Sequence, residues 1–429
     1  MRICVVAEHA STRFGGEAIL PVHYFRLLRS RGIESWLVAH TRTRGEVEEL
    51  FAGDIDRLLF VPDLWIQKLC FRLGGYLPRR LAEATFGLFN QIVTQFCQRG
   101  IVRRLIRERG IDVVHQPIPV APRFPSLLFG LGVPVVIGPL NGGMEYPPAF
   151  RRSEAWISRA AIAAGRLFTN AGNALLPGKK FASVVLVANE RTRRALPSGI
   201  RGKVVELVEN GIDFGLWQGS SDNVESAVPR FVFIGRLVDW KALDIAIRAL
   251  EKVASAELEV IGDGPMLETW RSLAGELGVK RRVHFVGWLT QRECADRLRA
   301  AVALVLPSLY ECGGAVVLEA MAMGKPVIAT DWGGPADYLD ASCGMLVAPT
   351  SYESLVDGFA AAMRKTMDSP ELAKSMGAAG RERAIRDFDW QRKIERVIGI
   401  YRLLAEEPGL PQEFKEEPVS APAISQRNC

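Results

Sequence analysis

The chain has 429 residues, a length that predicts two or three domains. Apolar residues make up 48% of it and charged residues 24%, which is typical of a globular protein and excludes collagen, a coiled coil and wholesale disorder. No apolar run approaches the ~20 residues that span a bilayer. The run at residues 3–7 is also too short for a signal peptide, so we expect a cytoplasmic protein.

The cysteines and histidines show no metal-binding pattern. Seven cysteines are scattered without a CxxC pair, which predicts reduced thiols. The five histidines have no HExxH or similar spacing. We therefore expect no metal site.

The net charge of +6 is divided unevenly along the chain. Residues 1–203 contain 29 Lys and Arg against 15 Asp and Glu, a net charge of +14, and the remainder carries −8. A basic half predicts an anionic partner, which could be a phospholipid, a nucleic acid or a pyrophosphate-linked acceptor.

The first half of the chain alternates strand-like and helix-like segments, as parallel sheets do. The predicted strands are 3–7, 34–39, 112–115, 134–137 and 184–188, and the predicted helices are 18–30 and 100–109. We assign residues 1–214 to an N-terminal Rossmann-like domain. A loose stretch rich in Gly, Ser and Asp, residues 215–229, is the predicted linker.

The second half repeats this alternation in residues 230–387. The predicted strands are 230–234, 257–261, 283–286, 303–306 and 326–329, and the predicted helices are 243–254, 265–277, 291–300 and 315–323. We expect this second Rossmann-like domain to face the first across a cleft. Residues 388–405 are predicted to form a helix that packs back on the N-terminal domain, and residues 406–429 a disordered tail.

Residues 57–109 interleave aromatic residues with arginines. One interpretation is a set of helices that pack on the first sheet and turn their arginines to water. The other is a basic amphipathic surface that lies at a membrane interface. Periodicity does not decide between them.

Two cations follow the strongly apolar strand 230–234. Gly235 allows a tight turn, and Arg236 and Lys241 come directly after it. Ligands of open α/β sheets bind beyond the carboxyl ends of the strands. These two cations therefore suit a diphosphate, although a pair of solvated surface cations has the same sequence.

Glycines and carboxylates follow strand 303–306. Gly313 and Gly314 precede a predicted helix, whose free N–H groups would form an anion site. Glu311 and Glu319 would repel that anion, so we interpret them as hydrogen-bond acceptors for sugar hydroxyls. The alternative is an ordinary N-terminal acid and a surface glutamate.

Further small residues follow other strands. Residues 330–335 follow strand 326–329, while Gly15 and Gly16 follow the first strand and residues 138–143 follow another. Several such sites at successive strand ends predict one shared pocket between two domains that close over a ligand.

Together these segments resemble the large family of retaining glycosyltransferases with the two-domain GT-B fold. The segment Gly235-Arg236…Lys241 resembles the family's G-R-x4-K motif, and Glu311…Glu319 its E-x7-E motif. Residues 210–213, 260–265, 283–289 and 326–335 are similar to its other motifs. The resemblance covers residues 1–405, thinly before residue 180, and implies that residues 1–214 bind the acceptor and residues 230–387 the nucleotide sugar.

This resemblance implies a role for each matched residue. Arg236 and Lys241 would be catalytic by stabilising the departing diphosphate, together with Glu311 at the donor sugar, and Glu319 would bind the ribose. The remaining donor-binding residues would be Gly15, Gly16, Gly235, Gly313, Gly314, Ala315, Val316 and Val317. No metal or other cofactor would be needed. The sugar would pass, with retained configuration, to a saccharide or lipid-linked acceptor in bacterial-type polysaccharide or glycolipid assembly.

The acceptor side is less clearly defined. Its candidates are His9, which could instead be structural, Asn141 and Gly142. The loop 138–143 lacks the histidine that many family members carry, and Asp337 stands where a glutamate is common. We expect no nucleic-acid partner, but a peripheral contact with an anionic membrane on the cytoplasmic face.

Other classes of function remain as alternatives. A non-catalytic nucleotide-sugar- or nucleic-acid-binding protein would explain the basic N-terminal half. A phosphorylase or a nucleotide-sugar epimerase would share the architecture. A dinucleotide oxidoreductase is disfavoured because no GxGxxG opens a helix.

Overall fold

A computed structural model describes residues 1–13, 16–75, 86–151, 172–218 and 228–406. Within these ranges the chain forms two sheets whose paired strands all run parallel, one of seven strands in the order β3-β2-β1-β4-β5-β6-β7 and one of six in the order β10-β9-β8-β11-β12-β13. The first sheet contains β1 (Arg2–Val6), β2 (Glu34–His40), β3 (Leu58–Val61), β4 (Val113–Gln116), β5 (Val135–Leu140), β6 (Val184–Val187) and β7 (Lys203–Glu206). The second contains β8 (Arg230–Ile234), β9 (Glu257–Ile261), β10 (Val283–Gly287), β11 (Ala303–Leu306), β12 (Val327–Thr330) and β13 (Gly344–Val347).

Helices connect these strands. In the N-terminal half they are α1 (Leu20–Ser30), α2 (Arg44–Leu50), α3 (Trp65–Gly74), α4 (Leu88–Arg109), α5 (Gly178–Phe181) and α6 (Glu190–Arg194). In the C-terminal half they are α7 (Leu243–Glu251), α8 (Leu267–Glu276), α9 (Gln291–Ala300), α10 (Ala315–Ala322), α11 (Gly334–Tyr338), α12 (Tyr352–Asp368), α13 (Pro370–Asp387) and α14 (Trp390–Glu406). Of the helices in the described ranges, none is long and apolar enough to cross a bilayer.

The central strands form where the sequence has short, continuous apolar runs. The four residues of β6 and the four of β11 are all buried, as expected for strands covered by helices on both faces. Three strands were missed by the sequence analysis, and all lie at sheet edges: β3, β7 and β13. An edge strand packs on one neighbour only, so its sequence can be more polar; β7 reads Lys-Val-Val-Glu and is partly exposed.

Helix α4 is longer than predicted, because it begins at Leu88 rather than at residue 100. Its first half buries polar side chains instead of an apolar stripe. Gln98 donates a hydrogen bond to the carbonyl of Ala7 at 2.7 Å, and Gln95 donates one to the carbonyl of Pro125 at 3.2 Å. Buried amides with backbone partners are stable but invisible to hydrophobic periodicity.

Helix α14 returns from the C-terminal half and packs on the first sheet, where its residues share a core with Ile3 and Tyr24. The hydroxyl of Tyr401 lies 2.6 Å from Nδ1 of His115, and Nε2 of His115 lies 2.6 Å from the carbonyl oxygen of Gly138. Burial lowers the pKa of His115 to about 4, so the ring is neutral, with Nε2 donating and Nδ1 accepting. The helix is thereby joined to β4 and to the end of β5.

The chain crosses between the two halves twice, and the crossings pair with each other. Ile212 forms an isolated parallel bridge with Asp389, and its N–H donates to the carbonyl of Phe388 at 2.8 Å. Ile212 and Trp217 are buried in the core of the C-terminal half. The packing of that half therefore includes the start of the predicted linker, of which residues 219–227 lie outside the described ranges, as does the predicted tail from residue 407.

Candidate functional site

The carboxyl ends of the two sheets meet at the junction of the two halves. From the first sheet come the loops after β5 and β6, and from the second come the loops after β11 and β12. The indole N–H of Trp332 donates to the carbonyl of Glu145 at 2.8 Å. The rings of Tyr146 and Tyr310 lie 5.3 Å apart. This edge is where open α/β sheets bind ligands, so the two halves place their ligand edges against each other.

The loop after β8 carries Arg236 and Lys241, the two residues predicted to bind the diphosphate. It is packed tightly by the turn 262–264: a Cβ on Gly262 would lie 2.0 Å from the carbonyl oxygen of Gly235, and one on Gly264 would lie 2.3 Å from that of Leu237. Both glycines also have positive φ angles, of 135° and 158°. Positions 262 and 264 therefore both require glycine for this turn to pack against the loop after β8.

Arg236 and Lys241 differ in their surroundings. Arg236 is exposed, and within the described ranges its guanidinium has no ion pair or hydrogen bond. Lys241 is largely buried and forms an ion pair with Glu311, which is itself 16% exposed. The structure therefore brings together a cation predicted to hold phosphate and a carboxylate predicted to contact sugar.

Helix α10 begins at Ala315, directly after the two glycines. Its N-cap residue, Gly314, has φ +86°, and no side chain caps this end. The first N–H groups of a helix carry a partial positive charge and attract anions. The predicted donor-binding residues Ala315, Val316 and Val317 form its first turn.

The other glycines near this helix allow close packing between loops. A Cβ on Gly313 would lie 2.3 Å from Oε1 of Glu209, and one on Gly334 would lie 2.0 Å from the carbonyl oxygen of Gly313. The N–H of Gly334 donates to the carbonyl of Glu311 at 2.8 Å. The glycine-rich segments 313–314 and 333–334 thus pack on each other and on the N-terminal half.

Glu319 lies in the second turn of α10 and is partly exposed. Burial raises its pKa to about 7, and it forms no ion pair with any described residue. A carboxyl group in such a recess is stabilised by a ligand that donates hydrogen bonds to it.

The acceptor-side candidate His9 lies beyond the end of β1, with Nε2 3.6 Å from Oε1 of Glu8. Its pKa is lowered by burial and by Arg42, against the opposite effect of Glu17. Gly16 has φ +58° and begins a 3-10 turn at Gly16–Ile19. Gly15 lies outside the described residues.

Asn141 and Gly142 are held by protein groups at the junction. Nδ2 of Asn141 donates to Oε1 of Glu209 at 2.5 Å and to the carbonyl of Cys312 at 3.0 Å. The N–H of Gly142 donates to Oγ1 of Thr192 at 3.1 Å. A direct contact between Asn141 and a sugar, as the sequence suggested, would require one of these bonds to be exchanged.

The comparisons with known proteins agree with this arrangement. The family model of glycosyl transferases group 1 matches residues 221–383. Glycogen synthase of Mycobacterium tuberculosis is 31% identical over 228 residues, which are 52% of this chain and 54% of that protein. The chain thus spans about half the length of the curated relatives it matches.

Two solved structures share the fold over nearly the whole chain. Sucrose-phosphate synthase from Thermosynechococcus elongatus has a TM-score of 0.67 at 20% identity, covering 94% of this chain and 98% of that one. Anabaena HepE in complex with UDP-glucose has a TM-score of 0.64 at 15% identity, covering 94% and 99%. Over residues 221–383 the chain is similar to glycosyl transferases group 1. The predicted GT-B fold, with two Rossmann-like domains, is confirmed.

Sequence analysis missed one feature of the junction, the network of charged groups between the two domains. Arg191 pairs with Asp337 at 2.8 Å across the junction. Nζ of Lys393 donates to the carbonyl of Glu209 at 2.9 Å. Burial lowers the pKa of Lys393 to about 7 and raises that of Glu209. The sequence gives little indication of these contacts, because no motif distinguishes the residues that form them from the polar residues beside them.

The partly buried carboxyl of Glu319 predicts a stability that depends on pH. Its folded pKa lies above the ordinary value of 4.5, so this group favours the folded state below pH 4.5, and the advantage is lost as the pH rises to about 7. We expect Glu319→Gln to match wild type at pH 5 and to be up to about 3 kcal/mol more stable at pH 8, in urea unfolding.

The control for this measurement is Glu268→Gln, which alters an exposed carboxylate on α8. Its effect on the free energy of unfolding should be the same at both pH values. An equal effect of Glu319→Gln at pH 5 and pH 8 would contradict the assigned burial.

Proposed function

We propose that this protein is a retaining glycosyltransferase, which moves a sugar from a nucleotide-diphosphate sugar to a hydroxyl of a saccharide or lipid-linked acceptor. The observation that carries the proposal is the placement of Lys241, Glu311 and the start of α10 together at the junction, with Arg236 on the same loop as Lys241. The likeness to HepE, whose structure holds UDP-glucose, supports a nucleotide-sugar donor.

The diphosphate would lie at the cationic part of this site. Arg236, Lys241 and the uncapped N–H groups of α10 would stabilise the negative charge that grows on it as the bond to the sugar breaks. Because Lys241 is paired with Glu311 in the free protein, donor binding must release that carboxylate. The freed Glu311 can then accept hydrogen bonds from the sugar, and Glu319 from the ribose.

The transfer itself exchanges one bond at the anomeric carbon. The acceptor hydroxyl forms a bond to this carbon on the face that the diphosphate leaves, which retains the configuration. The hydroxyl proton passes to the departing phosphate oxygen, so charges and atoms balance. The N-terminal domain would supply the acceptor site, with His9 at the end of β1.

The first test is a donor screen combined with two variants. Wild type should hydrolyse or transfer from one of a panel of UDP-, GDP- and ADP-sugars. We expect Lys241→Ala to lose on the order of 100-fold in kcat and to bind the nucleoside diphosphate more weakly, because it removes a contact to the leaving group. Glu311→Ala should lose transfer as strongly yet keep nucleoside diphosphate binding, because it leaves Lys241 without a competing carboxylate.

Lys252→Ala is the matched control, since Lys252 is an exposed cation of the same domain, paired with Asp357. It should behave as wild type. Full transfer by both Lys241→Ala and Glu311→Ala would overturn the assigned site. Tight binding of a nucleotide sugar by wild type without any hydrolysis or transfer would favour the alternative of a non-catalytic binding protein.

The second test concerns metal ions. We propose that no metal is required, because the cations of Arg236 and Lys241 and the start of α10 already provide positive charge for the diphosphate. Activity should therefore be unchanged when EDTA is added to enzyme in metal-free buffer. Loss of activity in EDTA that manganese or magnesium restores would contradict this.

A peripheral contact with an anionic membrane is the second part of the proposal. Trp65, Leu69 and Leu73 follow a helical spacing of four on α3, and they are 74%, 44% and 43% exposed. Lys68 and Arg72 on the same helix are exposed as well. An apolar stripe flanked by cations, in a part of the chain (residues 1–203) whose net charge is +14, suits the headgroup region of an anionic bilayer.

The helix bearing this stripe is held firmly to the domain. The side-chain amide of Gln67 donates to the hydroxyl of Thr94 on α4 at 2.9 Å, and Cys70 is buried. Among the described residues, the opposite face of α3 is therefore exposed and available to a membrane. In α4, Phe89 and Phe96 are also exposed, by 43% and 70%.

The third test is co-sedimentation with vesicles. The protein should pellet with anionic phospholipid vesicles, remain in solution with neutral ones, and be released as salt is raised, since each basic group contributes roughly 1 kcal/mol at the surface. Trp65→Ser with Leu69→Ser should weaken pelleting several-fold. Trp288→Ser, which removes an equally exposed tryptophan from the acidic domain, is the control. Equal pelleting with neutral and anionic vesicles at low salt would rule out this contact.

A further inference from the structure

Side chains of the N-terminal domain form hydrogen bonds to the loop that carries Glu311. This donor loop, residues 311–314, joins β11 to α10 in the C-terminal domain. The carbonyl of Cys312 accepts hydrogen bonds from two side chains of the N-terminal domain, Nδ2 of Asn141 at 3.0 Å and Nη2 of Arg191 at 3.5 Å. One carbonyl of the donor loop thus has two donors, both from the domain that would bind the acceptor.

Asn141 is fixed in the orientation that reaches this carbonyl. Its amide is 5% exposed, and its nitrogen also donates to Oε1 of Glu209 at 2.5 Å. Its oxygen accepts from the hydroxyl of Thr192 at 3.4 Å. Glu209 is fixed in turn by the amide of Asn210 at 2.9 Å. Because each partner has its own partner, the amide cannot rotate without breaking several bonds.

Arg191 links the same carbonyl to the neighbouring loop. Its guanidinium pairs with Asp337 at 2.8 Å, and Asn189 donates to the same carboxylate at 2.9 Å. Asp337 lies on α11, whose first residue, Gly334, donates its N–H to the carbonyl of Glu311 at 2.8 Å. The carbonyl of Glu311 is therefore held by α11, and the next carbonyl by Asn141 and Arg191.

We infer that Asn141 and Arg191 are positioning residues for donor-sugar recognition, and that the acceptor domain thereby completes the donor site. This rests on the proposed function of Glu311. The consequence is that the sugar is correctly placed only when the two domains are docked.

The test uses Asn141→Ala and Arg191→Ala, with Asp337→Asn as a milder change that keeps the side-chain shape. Displacing the donor loop should reduce kcat on the order of 10- to 100-fold, while the Kd for the nucleoside diphosphate stays close to that of wild type. Asp337→Glu keeps the carboxylate and should retain most of the activity. Combining Asn141→Ala with Arg191→Ala should cost less than the product of the single effects, since both act on one carbonyl.

Arg194→Ala is the matched control, because Arg194 lies on the same short helix, is 79% exposed and pairs with Glu190. Hydrogen exchange of residues 309–316 gives a readout that does not need turnover. We expect faster exchange there in Asn141→Ala and Arg191→Ala, but not in Arg194→Ala, with similar Tm in all.

Unchanged exchange and unchanged kcat in both variants would overturn the inference. So would a fall in Tm with equal losses of nucleotide binding and kcat, which indicates a purely structural role. A wild type that uses no nucleotide sugar overturns the proposed function instead, and faster exchange of the donor loop in the two variants would then still show that they hold it.

Discussion

The buried ammonium group of Lys393 holds the two domain crossings together, and the geometry of the junction depends on it. Lys393 lies in α14 and donates to the backbone carbonyls of Glu209 and Asn210 in the other crossing. Burial opposes its charge, which is why its pKa falls to about 7, and the two carbonyls offset part of that cost. Glu209 in turn accepts from Asn141, so this contact extends without a break to the donor loop.

The free protein balances its own charges at the candidate site. Lys241 and Glu311 are both largely removed from water, and either one alone would carry a substantial desolvation cost. Pairing them offsets that cost and also sets a condition on the ligand, which must bring an anion for the lysine and hydrogen-bond donors for the carboxylate. A nucleotide sugar has a diphosphate next to a ring of hydroxyls, and so meets both conditions in one molecule.

The sequence predicts what depends on local pattern. Strands β8, β9 and β11 have the bounds predicted for them, and the cations after β8 stand out because of the strand before them. The sequence does not predict features that depend on contacts between residues far apart in the chain. The start of α4 buries glutamines, and Arg191 lies in the run Glu-Arg-Thr-Arg-Arg, where nothing distinguishes it from its neighbours. Arg191 differs from these neighbours because Asp337 lies opposite it across the junction.

The glycines near α10 show that a sequence pattern can indicate a close contact with the backbone without identifying the atoms that make it. Runs of glycine at strand ends indicate that something approaches the backbone closely, and the sequence suggested a ligand. For Gly313 and Gly334 the approaching atoms belong to the protein: the Glu209 carboxylate in one case and the carbonyl of residue 313 in the other. In the proposed function, the donor contacts groups that these loops leave available, namely the guanidinium of Arg236, the carboxyl of Glu319 and the uncapped start of α10. Close packing between these loops is therefore a condition for ligand binding, because the packing places the groups that would bind the donor.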